Sequence, residues 1–353
     1  MTNTSSSESK TKMLYNNEQG SLRIVSLLPS ITEVLSSLHV ADQIVGITHE
    51  CDYPPEALEN AKVVTTSDIN PRLMTQEEIH RAVIGSLKNG HSLYGINEAV
   101  LRSVAPQIIF TQQLCDVCAV SYPVVLDTCA RVVGGPPPPG WVSLNDQELY
   151  PKVISMEPAN LNDVLKTFHV AANALGPRAQ TRAIEVVSKL ELGFEAIRNA
   201  VRGRSRPEVA FMEWHNPIFS GGHWIPDMLD IVGASYKMCK SGDRSSPITD
   251  EDFIQLDPDF ILIGPCGFFL DRAIKDTFTM FHEKPWWREM RAVQEGRVFA
   301  LDGNSYYARP GPRLLQGCGI MAGCIHGEEV SRILGEELCP TSGFCRITID
   351  MYR

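Results

Sequence analysis

Six side chains of types that bind metal ions or act as nucleophiles stand in short motifs that follow strand-like runs. They are His49 and Cys51 in "HECDY", Cys115 and Cys118 in "CDVC", His223 in "GGHW", and Cys266 in "PCGFF". Thiolate and imidazole are donors that zinc and iron prefer, and C-x-x-C is their usual local pair. One such pair is half a site, so the fold must supply the rest. The expectation is that Cys51, Cys115, Cys118 and Cys266 cluster with His49 and His223 around zinc or iron. A plainer reading treats free cysteine as a small buried hydrophobe. It suits Cys318 and Cys324 on an apolar helix, while Cys339 and Cys345 fall in a closing tail. His49 and Glu50 have acid–base chemistry open to them, but both also suit a strand end with a polar partner.

These motifs follow strands. "LRIVSLL" is a buried-strand run, and "PSITEVLSSL" after it has helical spacing at Ile31, Val34, Leu35 and Leu38. Ser30 and Glu33 form an S-x-x-E pattern, read here as a capping box. "QIVGIT", "QIIFT" and "KVISME" are further strands, with helices around Thr75 to Leu87 and Asn97 to Val104. Strand–helix alternation resumes with "EVAFMEW", "IPDMLDIVG", "FILIG" and "RVFAL", and "PRLLQGCGIMAGCI" closes the pattern. Between the two sets lies helical spacing, broken at Gly176-Pro177 and resuming from Arg178 to Val201. The lead-ins "APQIIF" and "DPDFILI" repeat one pattern in both halves.

The fold class is therefore α/β, with two doubly wound lobes joined by a long helix and a ligand cleft between them. The divisions are a polar lead-in at 1–20, a first lobe at 21–158, connecting helices at 159–202, a second lobe at 203–336 and a tail at 337–353. The proline-rich stretch at 134–150 reads as a loop insertion. Ligands of such sheets bind beyond the carboxyl ends of the strands. That places "HECDY", "CDVC", "WHNPIFSGGHW", "PCGFF" and "DGNSYYARPG" on the cleft.

Net charge is −10, which argues against a nucleic-acid partner. No apolar run is long enough for membrane insertion. The first twenty residues lack an apolar core, so the expected address is the cytosol. Ten cysteines then point to reduced thiols, not a disulfide scaffold.

The stretches "RIVSLLPSITEVL", "DYPPEA", "NPIFSGG" and "YYARPGPRLL", with the two lead-ins, resemble the helical-backbone substrate-binding proteins, most nearly their cobalamin-binding branch. The resemblance runs from about Leu22 to Ile325. It implies a small-molecule ligand, a cobalamin or other corrinoid, held between the lobes. By position it implies Asp52, Tyr53, Phe219, Tyr306 and Arg309 as ligand contacts, and Trp214, Trp224, Phe268 and Tyr307 lie beside them on the same strand ends. No lobe-surface glutamates match those that dock a transporter in that family, and Glu33 has a local reason in its capping box. The expectation is thus against transporter docking. The competing expectation is a metal- or cluster-binding enzyme that uses the cleft cysteines.

Overall fold

The computed structural model describes residues 21–89, 93–112, 122–132, 151–282 and 284–352. The first lobe begins with β1 (Ile24–Ser26), β2 (Ile44–Ile47) and β3 (Lys62–Val63). A separate antiparallel ribbon follows, made of β4 (Thr65–Ser67) and β5 (Tyr94–Ile96), and then β6 (Ile108–Thr111) and β7 (Lys152–Ser155). The main sheet has the order β3-β2-β1-β6-β7, parallel throughout. Ile24, Val25, Ile109 and Phe110 are fully buried, as expected for parallel strands covered on both faces.

The second lobe contains β8 (Val209–Trp214), β9 (Ile218–Ser220), β10 (Pro247–Ile248), β11 (Phe260–Ile263), β12 (Val298–Leu301) and β13 (Phe344–Ile347). Its order is β10-β9-β8-β11-β12-β13. The three central strands are parallel, and β9, β10 and β13 add antiparallel edges. Two α/β lobes are therefore present, as the alternation of elements predicts.

The repeated lead-ins fold alike. The helix Glu98–Val104 is capped by the Asn97 side chain and ends on Ala105 at φ 39°. The helix Asp250–Leu256 is capped by Thr249 and ends on Asp257 at φ 37°. Left-handed caps of this kind turn the chain sharply out of a helix. Gln107 Oε1 then accepts the Arg23 amide at 3.0 Å, and Asp259 Oδ2 accepts the Glu208 amide at 2.8 Å. Each half thus ties its lead-in to the start of the neighbouring strand by the same device.

The lobes are joined by the helices Leu161–Leu175 and Pro177–Val201. Gly176, at φ 100°, separates them, and Pro177 occupies the first position of the second, where its missing N–H costs nothing. That helix has 25 residues and spans roughly 37 Å. Its buried face, Ala183, Val187, Leu190, Phe194, Ile197 and Val201, belongs to one apolar cluster. The same cluster includes Ile24 and Phe110 of the first sheet and Phe211 and Leu301 of the second. A continuous core therefore runs through both lobes and the strut. Asp227 of the second lobe adds a polar tie, accepting the Leu161 amide at 2.9 Å.

One expectation needs correction. Ser30 does not cap its helix: the helix is Pro29–Ser37, its cap position is Leu28, and no side chain bonds there. Pro29 already removes one unpaired donor, so a capping box has less to satisfy. Glu33 is freed for another partner, described below. The tail from 337 is built into the second sheet, where β13 pairs antiparallel with β12, and Cys339 is buried. Finally, β4 and β5 bracket an excursion from the first lobe that carries the helix Gln76–Asn89. The lead-in at 1–20 and the insertion at 134–150 lie outside the described residues.

Candidate functional site

The strands of both sheets end toward each other, and two sets of polar contacts cross between the lobes there. The first centres on Arg309, which follows β12 and is 7% exposed. Its guanidinium grips Asp52 with two nitrogens, Nη2 reaching Oδ2 at 2.9 Å, and Nη2 also donates to Asn304 Oδ1 and the Glu50 carbonyl. Asn304 Nδ2 donates to Asp52 Oδ2 at 3.0 Å. Burial alone raises the Asp52 carboxyl, but Arg309 and Asn304 outweigh it and hold it below the usual range. Beside this pair, Arg313 binds both oxygens of Glu33, at 2.9 and 2.6 Å. Burial pushes the Glu33 carboxyl up despite that arginine.

Gly303 helps to place Asn304. A Cβ there would overlap the Pro265 carbonyl, so only glycine lets the turn after β11 lie against the turn after β12. Asp302 caps the short helix Gly303–Tyr306 by accepting the Ser305 amide at 2.8 Å.

The second set centres on Gln76 and His215, 3% and 0% exposed. Gln76 Nε2 donates to His215 Nδ1 at 2.7 Å and to Asp276 Oδ2 at 3.1 Å, and its Oε1 accepts the His215 amide at 3.4 Å. His215 Nε2 then carries the ring proton and donates to Thr277 Oγ1 at 2.9 Å, and that hydroxyl donates to the Ala273 carbonyl. Only a neutral imidazole fits this chain of donors and acceptors. Arg272 Nη2 donates to the Met74 carbonyl at 2.8 Å. Neither set was foreseen. Glu33 left one clue, as the only charge in an otherwise uncharged helix, whereas Gln76 and His215 lie 139 residues apart with no shared pattern.

The expected ligand residues divide. Tyr53, Trp214, Phe219 and Tyr306 keep part of their surface exposed. The Arg313 guanidinium sits 4.4 Å from the Tyr53 ring centre and 6.0 Å from that of Tyr306. The ring of Trp214 lies 5.2 Å from Phe268, and that of Phe219 lies 6.5 Å from His80. Trp214 Nε1 is buried without a hydrogen-bond partner among the described residues. The others are buried and have partners within the protein. Trp224 is buried and donates to the Tyr307 carbonyl at 2.8 Å, and Tyr307 is buried with its hydroxyl on the Gly317 carbonyl. Phe268 is buried beneath Arg272, and Arg309 is committed to Asp52.

The metal expectation is not met by the described residues, among which no group of three or more His, Cys, Asp or Glu is placed to hold an ion. Cys51 is a protonated thiol, pushed up by burial and bonded to Thr32 and Thr48 at 3.2 and 3.4 Å. His49 Nδ1 pairs with Thr65 at 2.7 Å, and its ring holds the Glu50 carboxyl below the usual range. His223 stands in a turn at φ 53°, its amide bonded to the Asp243 carbonyl, and Cys266 is exposed. The strand ends thus carry these donors to separate surroundings. Cys115 and Cys118 lie outside the described residues.

Residues 145–304 match the periplasmic binding protein family. An uncharacterised ABC transporter substrate-binding lipoprotein of Bacillus subtilis is 22% identical over 312 residues, 86% of this chain and 80% of the relative. The periplasmic vitamin B12 binding protein of Vibrio cholerae superposes with a TM-score of 0.58 at 18% identity, over 86% of this chain and 96% of that one. The periplasmic heme-binding protein of Roseiflexus gives 0.59 at 18%, over 90% and 100%. At such identities the structural likeness is one of fold. These relatives also correct the expected cytosolic address, since they are a lipoprotein and two periplasmic proteins. The chain has the two-lobed fold of the helical-backbone substrate-binding proteins, and its residues 145–304 carry the pattern of the periplasmic binding protein family.

Proposed function

We propose that this protein is a substrate-binding protein that holds a corrinoid between its lobes. The observation that carries the reading is the set of part-exposed rings, Tyr53, Trp214, Phe219 and Tyr306, drawn from strand ends of both lobes. Flat aromatic side chains bury much apolar area against a macrocycle and lose little entropy in doing so. The vitamin B12 binding protein of Vibrio cholerae supports a corrinoid, and the heme-binding protein of Roseiflexus keeps a haem as the second reading. The transporter-type relative supports handing the ligand to an ABC transporter, against the expectation drawn from unmatched glutamates.

Calorimetric titration with cobalamin, cobinamide and haem tests the reading. A saturating heat at one ligand per chain, with a shift in visible absorption, is expected for a corrinoid. Saturation by haem alone would replace the ligand. Flat titrations for all three at about 1 mM, the weak-binding limit, would remove the reading and leave the fold untouched.

A further inference from the structure

We propose that the excursion from Pro71 to Asn89 is a clasped lid over the cleft, with Gln76 as its clasp on the second lobe. Its root is the β4–β5 ribbon, which belongs to neither main sheet. Ile79 in its helix and Leu93 at its return are buried, yet neither joins any of the three apolar clusters that make up the cores. Leu73 is 83% exposed. Among the described residues, the lid helix thus joins no apolar cluster of its own lobe.

Its attachments to the other lobe are specific and polar. Both ends of the Gln76 amide are used, on His215 and Asp276, and Arg272 holds the Met74 carbonyl. Of these second-lobe partners, His215 directly follows the carboxyl end of β8, where ligands of such sheets bind, and Arg272 and Asp276 lie on the helix Leu270–His282 that follows β11. One turn beyond Gln76, His80 lies with its ring centre 6.5 Å from that of Phe219, so the lid covers a ring assigned to the ligand. A segment held by a few hydrogen bonds and not by a core opens without unfolding its domain. A macrocycle entering between the lobes has to displace it, which makes release of the clasp a step in binding. The gating role rests on the cleft being the ligand site; the clasp itself does not.

Hydrogen exchange on Gln76→Ala and Arg272→Met, each against wild type and without ligand, separates the two parts. The lid account predicts at least tenfold faster exchange of amides in 71–89, with the strut and both sheets unchanged. Unchanged exchange in 71–89 would overturn the clasp, and faster exchange throughout the second lobe would show a structural element and not a lid. Stopped-flow mixing with cobinamide or haem then reads the gate. Association at least threefold faster in Gln76→Ala is expected, and an unchanged rate overturns gating. If neither probe binds wild type, the ligand reading fails while the exchange result still decides the clasp.

Discussion

Glu33 and Arg313 stand 280 residues apart in the chain and meet between the lobes in a two-point ion pair, at 2.9 and 2.6 Å. The Glu33 side chain is 1% exposed and that of Arg313 16%. Arg309 lies 3.6 Å from the same carboxylate and carries Asp52 on its other side. Four charges thus neutralise one another where the first helix and the turn after β2 of one lobe meet the segment after β12 of the other.

Removing one member of such a pair strands the rest. Glu33→Ala should cost about 3–5 kcal/mol in denaturant unfolding, because Arg313 and Arg309 lose a buried counter-charge. Glu33→Leu combined with Arg313→Met should recover much of that loss, since two apolar groups leave no charge unpaired. A double variant as unstable as the sum of its parts would show that the pair is not a coupled unit.

Gly303→Ala forces a Cβ onto the Pro265 carbonyl and must shift the turn that carries Asn304. Overpacking of this kind costs about 1–3 kcal/mol. The melting temperature should fall, and Asn304 should lose its place between Asp52 and Arg309. An unaltered melting curve would mean that the two turns have more freedom than their contact indicates.

Burial, and then the Arg272 charge, push the His215 imidazole down to about 3 from its ordinary 6.5. Between those values the unfolded chain binds a proton that the folded chain refuses. Stability from this group is therefore complete above pH 6.5 and lost as pH falls toward 3. Each pH unit in that window removes about 1.4 kcal/mol. Melting temperatures from pH 7 to pH 4 should fall more steeply for wild type than for His215→Asn, which has no such group. Parallel profiles would contradict the buried neutral histidine.

The lobes and the strut were legible because each rests on local pattern. Apolar runs mark β1, β6, β8 and β11, and Gly176-Pro177 marks the break between the connecting helices. The paired lead-ins were legible for the same reason, since a helix cap and the strand after it lie within ten residues. The contacts across the cleft were not legible. Gln76 finds His215, and Asp52 finds Arg309, only where elements far apart in the chain meet between the lobes. Glu33 was misread because S-x-x-E is a local signal, while its partner lies near the other end of the chain. The cysteines misled in the opposite direction. Their spacing suggests one site, but Cys51 turns into the first lobe toward Thr32 and Thr48, and Cys266 faces outward.

Because a single apolar cluster runs from the first sheet through the strut to the second, the lobes should move little against each other. Small-angle scattering with and without a saturating corrinoid should give nearly the same radius of gyration. A large contraction would mean that the strut bends, which a packed helix resists.

Binding of a corrinoid against the cleft rings is tested most directly by tryptophan fluorescence. Trp214 lies at the end of β8, and a coloured macrocycle beside it quenches its emission. Titration of wild type with cobinamide should give saturable quenching. Tyr306→Ala should weaken binding at least tenfold, since losing a buried aromatic contact costs a few kcal/mol and each 1.4 kcal/mol is about tenfold in Kd. Quenching that never saturates, or a dissociation constant unchanged in Tyr306→Ala, would contradict the account.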